Sequence, residues 1–148
     1  MSYRDHDNLY INEKQYIKKP KFVWSLLSGH LKKHYNKKIT FWDVGCANGA
    51  FILYLKKKFP KWNFIGSDVK QSLIKRSKEV TKEKIIFDDI EKKKHKLKAN
   101  ILHAAGVHAC FDDLENFLNN IISRCEDNGE IYIHGSFNVK PVDVLIRY

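Results

Sequence analysis

The fold is decided by the stretch Phe41-Trp42-Asp43-Val44-Gly45-Cys46-Ala47-Asn48-Gly49-Ala50-Phe51. It contains the end of a short buried strand that we predict over Ile39–Val44, and it opens a helix predicted over Ala50–Phe59. Gly45 and Gly49, in the loop between these elements, let the backbone approach a ligand closely. The helix N-terminus offers N–H groups to an anion, and Asp43 adds a carboxylate beside them. This combination favours a zwitterionic ligand, because a diphosphate would gain nothing from Asp43.

Strands and helices alternate on both sides of this stretch. A helix with Phe22, Val23, Leu26, Leu27 and Leu31 on one side is predicted upstream, over Lys21–Tyr35. The downstream predictions, in chain order, are the strand Asn63–Asp68, the helix Gln71–Val80, the strands Lys84–Asp88 and Asn100–Ala105, the helix Asp113–Cys125, a turn at Asn128-Gly129 and the strand Glu130–His134. Such alternation indicates right-handed βαβ units and a parallel sheet covered on both faces. Ligands of these sheets bind outside the carboxyl ends of the strands.

Composition sets limits on the class of protein. The chain has 148 residues, 43% of them hydrophobic and 13% aromatic, which suits one folded domain and argues against disorder. No apolar run approaches the ~20 residues that a membrane span needs, and the polar N-terminus has no signal-peptide pattern. We therefore expect a cytoplasmic protein without membrane contact. The three cysteines are scattered without zinc spacing, so no metal site is predicted.

The net charge of +10 arises from 27 Lys+Arg against 17 Asp+Glu, and lysine supplies almost all of the excess. A basic balance can indicate nucleic acid or an anionic membrane as partner. Arginine forks and stacking aromatics interleaved with the basic residues, which are typical of specific base recognition, are not evident in the sequence. The sequence therefore predicts a solvated lysine surface, with nucleic-acid binding at most weak, non-specific and salt-dependent.

The loop at residues 43–49 resembles motif I of class I S-adenosylmethionine-dependent methyltransferases, an acid-x-Gly-x-Gly-x-Gly loop in which Ala47 here replaces the middle glycine. Three later segments resemble the same family in correct order and spacing. They are the end of the second strand at Asp68, the run Asp88-Asp89-Ile90 after the third strand, and the run from Ala104 to Leu114 after the fourth strand. The resemblance covers roughly Lys21 to Asn138. It implies a Rossmann-like three-layer α/β fold and S-adenosylmethionine as cofactor.

The resemblance also implies roles for individual residues. Asp68 would accept hydrogen bonds from both ribose hydroxyls, although it could instead cap the following helix. Asp89 would accept from the adenine amino group and the Ile90 N–H would meet a ring nitrogen, with Asp88 as an alternative shifted by one residue. The implied cofactor-binding residues are Asp43, Gly45, Cys46, Ala47, Asn48, Gly49, Asp68, Val69, Asp89, Ile90 and Ala105.

The implied chemistry is in-line displacement of a methyl group from a sulfonium, in which the protein mainly positions the acceptor and excludes water. His108, after the fourth strand, is the candidate general base for a weakly acidic acceptor, and a loop histidine without a catalytic role is the alternative. His103 lies inside a strand and is expected to be structural. A dinucleotide site is disfavoured, because Gly45-x-Ala47-x-x-Ala50 lacks the glycines that admit a pyrophosphate.

The expected acceptor is a small molecule or a glycan precursor. Two alternatives stay open: an RNA acceptor, and a cofactor-binding remnant or partner subunit without turnover of its own. Titration with S-adenosylmethionine, followed by a transfer assay, separates turnover from binding alone.

The sequence also predicts that the family's sheet is incomplete in this chain. That sheet has seven strands in the order 3-2-1-4-5-7-6, whereas we can place five, in the order 3-2-1-4-5, with the last two missing. We divide the single domain into a polar lead-in at 1–19, a core at 20–138 and the cut-off start of a further segment at 139–148. The strand Glu130–His134 would then be an edge that invites self-association, covered or paired through Pro141–Ile146.

Overall fold

The computed structural model describes residues 20–92 and 95–135. Its strands are β1 (Thr40–Val44), β2 (Asn63–Asp68), β3 (Lys84–Phe87), β4 (Ala99–Ala105) and β5 (Cys125–His134). Its α-helices are α1 (Phe22–Leu31), α2 (Ala50–Lys58), α3 (Gln71–Thr81) and α4 (Leu114–Ser123), and short 3₁₀ helices span Lys32–His34 and Val107–Cys110. The expectations for the lead-in at 1–19 and for Pro141–Ile146 lie outside the described residues.

The five strands form one parallel sheet in the order β3-β2-β1-β4-β5, which confirms the predicted Rossmann-like topology. The central strand β1 pairs with β2 on one side and with β4 on the other, so Val44 lies between Ser67 and Ala104. The chain order of the strands reverses between β1 and β4. Ligands of open α/β sheets bind at such a point, beyond the carboxyl ends of the strands.

Alternating side chains of the sheet build two cores. On one face Phe41 and Ile101 pack with Phe51, Ile52 and Leu55 of α2. The other face has its own cluster, which contains Trp42, Leu102, Phe117 and Ile121. Both faces are therefore covered by helices, as the sequence predicted.

The predicted apolar face of α1 is partly wrong. Phe22 is 77% exposed and Leu26 is 51% exposed, whereas Trp24 and Leu31 are buried. The rotation of the helix follows from Trp24, because its ring packs against Phe51, with ring centroids 5.4 Å apart. One large aromatic side chain therefore sets which side of the helix faces the core.

The turn predicted at Asn128-Gly129 is also wrong, because β5 runs from Cys125 through this dipeptide to His134. Ala99 pairs with Cys125 while Ile101 pairs with Glu130, so β5 carries extra residues in a bulge. Gly129 lies close to β4, since a Cβ atom added there would come within 2.8 Å of the Asn100 carbonyl oxygen. Glycine permits that close backbone approach.

Glu130 ties β5 to the segment that precedes β1. Its carboxylate lies 2.8 Å from Lys33 Nζ and 3.0 Å from His34 Nε2, and it accepts a hydrogen bond from the Tyr132 hydroxyl. These contacts lower the pKa of Glu130 to about 2, with the Lys33 bond as the largest cause. The contacts therefore favour the ionised carboxylate.

A depressed carboxyl pKa makes stability depend on pH in one direction. The stabilisation by Glu130 is present above its ordinary pKa of 4.5 and is lost as the pH falls towards 2. We expect Glu130→Gln to be less stable than the wild type near neutral pH, and the difference to shrink as the medium is acidified. Urea unfolding of both proteins measures this difference. The exposed Glu126→Gln is the control, and an equal difference at neutral and acidic pH would contradict the assignment.

Candidate active site

The loop between β1 and α2 has a backbone that few residues adopt. Gly45, Ala47 and Gly49 have positive φ angles of 68°, 48° and 77°. The Cys46 N–H donates to the Ser67 carbonyl at 2.9 Å, which anchors the loop to the end of β2. Ala47 therefore occupies, with a side chain, a conformation that favours glycine.

Asn48 completes the entry to α2. Its side chain is buried, and its Oδ1 accepts from the Ala50 N–H at 3.1 Å. The Ala50 N–H, one of the first in α2, is thus bonded within the protein. It is therefore not available to the anion that the sequence predicts at this helix N-terminus.

Gly49 is expected to be intolerant of a side chain. Its φ of 77° is left-handed, and a Cβ atom there would collide with Ser77 Oγ and Thr81 Cγ2 of α3. We expect Gly49→Ala to lower the free energy of unfolding by about 2–4 kcal/mol, from backbone strain and overpacking. The matched control is Gly29→Ala in α1, where a Cβ atom meets nothing within 4 Å and helix propensity should improve. Urea unfolding should separate the two variants, and equal stabilities would refute this role.

Asp43 lies near the end of β1 and is buried beside His103 of β4. The Asp43 Oδ1 and His103 Nδ1 atoms are 2.7 Å apart, and each side chain is 5% exposed. The His103 ring packs against Phe51, with centroids 4.6 Å apart. The sequence identified both residues but missed the pair, because the predicted strand order makes β1 and β4 neighbours without giving the register that sets Asp43 beside His103.

Asp68, at the end of β2, bridges two loops. Its Oδ2 accepts from the Ala47 N–H at 3.1 Å, and its Oδ1 accepts from the Lys70 N–H at 3.0 Å. The N-cap position of α3 is Lys70, so Asp68 is not the helix cap. Val69, next to it, is 36% exposed. Asp68 therefore lies directly beside the loop of residues 45–49.

The acids after β3 have different surroundings. Asp88 forms a two-pronged ion pair with Arg124, at 2.9 Å from Nε and 2.8 Å from Nη2, and Arg124 is fully buried. Asp89 Oδ1 accepts from the Glu91 N–H at 3.2 Å. Ile90 is buried in the second core. Asp88 is held by the buried Arg124, whereas the ion-pair partner of Asp89 is the exposed Lys92, at 3.5 Å. Of the two acids, Asp89 therefore has the partner that a ligand can more easily replace.

The segment after β4 carries the two remaining predicted residues. Ala105 is exposed at the strand end, and Gly106 turns the chain with a φ of 72°. His108 lies in the following 3₁₀ helix and is 8% exposed. Its ring lies under Gly135, where an added Cβ atom would overlap the imidazole. Gly135 therefore covers one side of this imidazole.

Cys46 does not have the properties of a nucleophile. Burial raises the pKa of its thiol well above the ordinary value, and the charges of Asp43 and Asp68 raise it further. Its sulfur lies 3.8 Å from Ser77 Oγ. The residue therefore packs as a neutral thiol against α3.

Within residues 20–92 and 95–135, no cluster of histidine, cysteine and acidic side chains could hold a metal ion. None of the helices in these ranges has both the length and the apolar character to cross a bilayer.

The fold and the residues at the carboxyl ends of its parallel strands are those of a class I methyltransferase domain. Residues 42–131, more than half of the chain, match the family model described as a methyltransferase domain. The chain belongs to this family.

Solved structures share the fold. The plantazolicin methyltransferase BpumL, in complex with a pentazolic desmethylPZN analog and SAH, superposes with a TM-score of 0.67 at 19% identity, over 87% of this chain and 53% of that one. Coclaurine N-methyltransferase, bound to N-methylheliamine and SAH, gives a TM-score of 0.66 at 14% identity, over 74% of this chain and 35% of that one. At these identities the likeness shows the fold alone.

Curated relatives match over shorter segments. A tRNA (guanine-N(7)-)-methyltransferase of Nostoc sp. (strain PCC 7120) is 44% identical over 32 residues, which is 22% of this chain and 15% of that protein. The corresponding enzyme of Prochlorococcus marinus (strain NATL1A) is 33% identical over 54 residues, covering 32% of this chain and 25% of that protein. The matched segments thus span a quarter or less of these relatives.

Proposed function

We propose that this chain binds S-adenosylmethionine and transfers its methyl group to a small neutral or cationic acceptor, glycan precursors included. The observation that carries the proposal is the placement of Asp43, Asp68 and Asp89 at or just after the ends of three adjacent strands, around the loop of residues 45–49. Neighbouring strands are about 4.8 Å apart, so the three carboxylates span roughly 10 Å. This span suits a nucleoside that carries an amino-acid chain.

The chemistry of these groups fits the cofactor. Asp43 would face the ammonium group, and Asp68 would accept from the ribose hydroxyls. The bonds from the Ala47 and Lys70 N–H groups hold the Asp68 carboxylate beside the loop of residues 45–49. Asp89 and the Ile90 N–H would hold the adenine. The exposed side chains of Val69 and Ala105 offer apolar surface at the same edge.

When bound, the cofactor supplies a methyl group on a good leaving group. The protein then has to position the acceptor and exclude water. His108 is the candidate base for a hydroxyl acceptor; it is 8% exposed, and Gly135 lies close against its ring. An acceptor that is already nucleophilic would need no base, and His108 would then be structural.

The charge of the carboxyl edge favours a small acceptor over a polyanion. Acidic side chains at the strand ends and in the following loops include Asp68, Asp89, Asp112 and Asp113, whereas Asp43 lies buried beside His103 and Asp88 is paired with Arg124. Such an edge repels the phosphates of a nucleic acid. A neutral or cationic small molecule carries no such penalty.

An RNA acceptor is the second candidate. The short matches to tRNA (guanine-N(7)-)-methyltransferases favour it, and the acidic edge disfavours it. Binding of cofactor without transfer is the third candidate, in which the chain serves as a partner subunit.

Cofactor choice is tested by thermal unfolding. We expect S-adenosylhomocysteine to raise the melting temperature and NAD to leave it unchanged. A ligand that binds the folded state alone stabilises it by roughly 2.7 kcal/mol at a hundredfold excess over its Kd. A shift with NAD and none with S-adenosylhomocysteine would overturn the proposal.

The acceptor is tested with labelled S-adenosylmethionine and two fractions of a cell extract, small molecules and RNA. Label in the small-molecule fraction is expected. Label that appears only in RNA, and is released by ribonuclease, would assign the second candidate. Cofactor binding without label in either fraction would assign the third.

A further inference from the structure

A dense lysine surface lies at the amino ends of the strands, the edge opposite the candidate active site. The lysines precede or begin four adjacent strands, β3, β2, β1 and β4. We define the amino-edge lysine surface as Lys32, Lys33, Lys37, Lys38, Lys57, Lys58, Lys61, Lys82, Lys84, Lys96 and Lys98, all of which are exposed. The two edges of the sheet thus differ in charge.

Few acids offset this charge. The segments 32–39 and 56–62 contain no aspartate or glutamate. Described ion pairs engage Lys33 with Glu130 and Lys98 with the exposed Asp127, and Glu83 pairs with the half-buried Lys56. Mutual repulsion among the lysines before β1 and β2 would be relieved by a polyanion that releases counterions on binding.

An exposed aromatic ring lies among these lysines. Tyr35 falls between Lys33 and Lys37 in the chain and is 50% exposed. The Tyr35 ring lies 6.1 Å from the ring of Phe59, measured between centroids, and Phe59 lies between the lysines that precede β2. Tyr35 therefore lies between the lysines before β1 and those before β2. Only the structure shows that this ring among the lysines faces solvent. A supported, exposed ring is a stacking platform for an unpaired base.

We propose that the amino-edge lysine surface binds single-stranded nucleic acid, with phosphates on the lysines and one base on Tyr35. Four strands span about 14 Å along this edge, enough for several phosphates. The five residues of β1 separate the surface from the active site by roughly 17 Å. The lysine surface is therefore a separate site from the active site, and the inference does not depend on the proposed function.

Fluorescence anisotropy with a labelled oligouridylate tests the charge component. Lys37→Glu is expected to weaken binding about tenfold and to reduce the salt slope by about 0.7 for each phosphate that is no longer neutralised. The matched control is Lys75→Glu on α3, an exposed lysine outside the surface, which should change affinity less than about twofold. No binding at low salt, or equally weakened binding in the two variants, would overturn the proposal.

The stacking component is tested at Tyr35. Tyr35→Ala is expected to lose about fivefold to a hundredfold in affinity, whereas Tyr35→Phe keeps a ring and should retain it. Saturating S-adenosylhomocysteine should leave oligonucleotide affinity unchanged, since the two edges are separate. Equal affinity of the Tyr35 variants, or competition by S-adenosylhomocysteine, would overturn the proposal. Phosphatidylserine vesicles that bind with the same Lys37 dependence but no Tyr35 dependence would assign the surface to membranes instead.

Discussion

Replacement of Arg124 by leucine is expected to lower the free energy of unfolding by about 3–5 kcal/mol. The guanidinium is fully buried, and it pairs with both oxygens of Asp88. It also donates from Nη1 to the Asn120 carbonyl at 2.7 Å, near the end of α4. Removal of the arginine leaves a carboxylate that is only 6% exposed without its countercharge. The unpaired carboxylate, rather than the smaller buried area, causes most of the cost.

Urea unfolding of three variants checks this prediction. Arg76→Leu is the control, because its 3.8 Å pair with Glu79 lies on the surface and is expected to contribute at most about 1 kcal/mol. The double variant Arg124→Leu with Asp88→Leu removes both charges and should recover part of the stability. If Arg124→Leu and Arg76→Leu lose the same amount, the buried pair does not stabilise the fold.

The fold was predictable because its signals are local. Apolar runs broken by glycine and by polar residues placed β1 to β4 within one residue of their observed bounds, and β2 agrees at both ends with the predicted Asn63–Asp68. The prediction for β5 agrees only at its end, His134. The loop of residues 43–49 indicated where the chain passes from β1 into α2. These features depend on hydrophobic periodicity and on turn residues, which a single sequence displays.

The errors came from contacts between distant residues. Asn128-Gly129 is typical of a turn, but pairing with β4 draws the dipeptide into a bulged strand. The side of α1 that faces the core depends on the contact between Trp24 and Phe51. The hydrophobic periodicity of the helix does not predict that contact.

Ambiguity within the site had the same origin. The choice between Asp88 and Asp89 depends on Arg124, 36 residues away in the chain. The partner of Asp43 depends on the strand register that sets His103 beside it.

The Asp43–His103 pair leads to the second large effect. Asp43→Asn is expected to weaken the binding of S-adenosylhomocysteine by about 2–5 kcal/mol. This is the cost of removing one partner of a buried charge pair, here the carboxylate that would face the ligand's ammonium group. Asparagine has nearly the same shape and can still accept from His103, so the fold should persist. His103→Phe removes the donor at Nδ1 but leaves the carboxylate, and we expect a smaller decrease in affinity. Isothermal titration calorimetry measures both variants.

A second ligand distinguishes an ammonium contact from support of the loop. 5′-Methylthioadenosine keeps the adenosine and the thioether but lacks the α-amino and carboxyl groups. If Asp43 faces the ammonium group, Asp43→Asn should leave the affinity for 5′-methylthioadenosine unchanged while the affinity for S-adenosylhomocysteine falls. Equal decreases for the two ligands would mean that Asp43 acts on the loop of residues 45–49 and not on the cofactor's charge. The buried hydrogen bond to His103, at 2.7 Å, would then serve to fix β1 against β4.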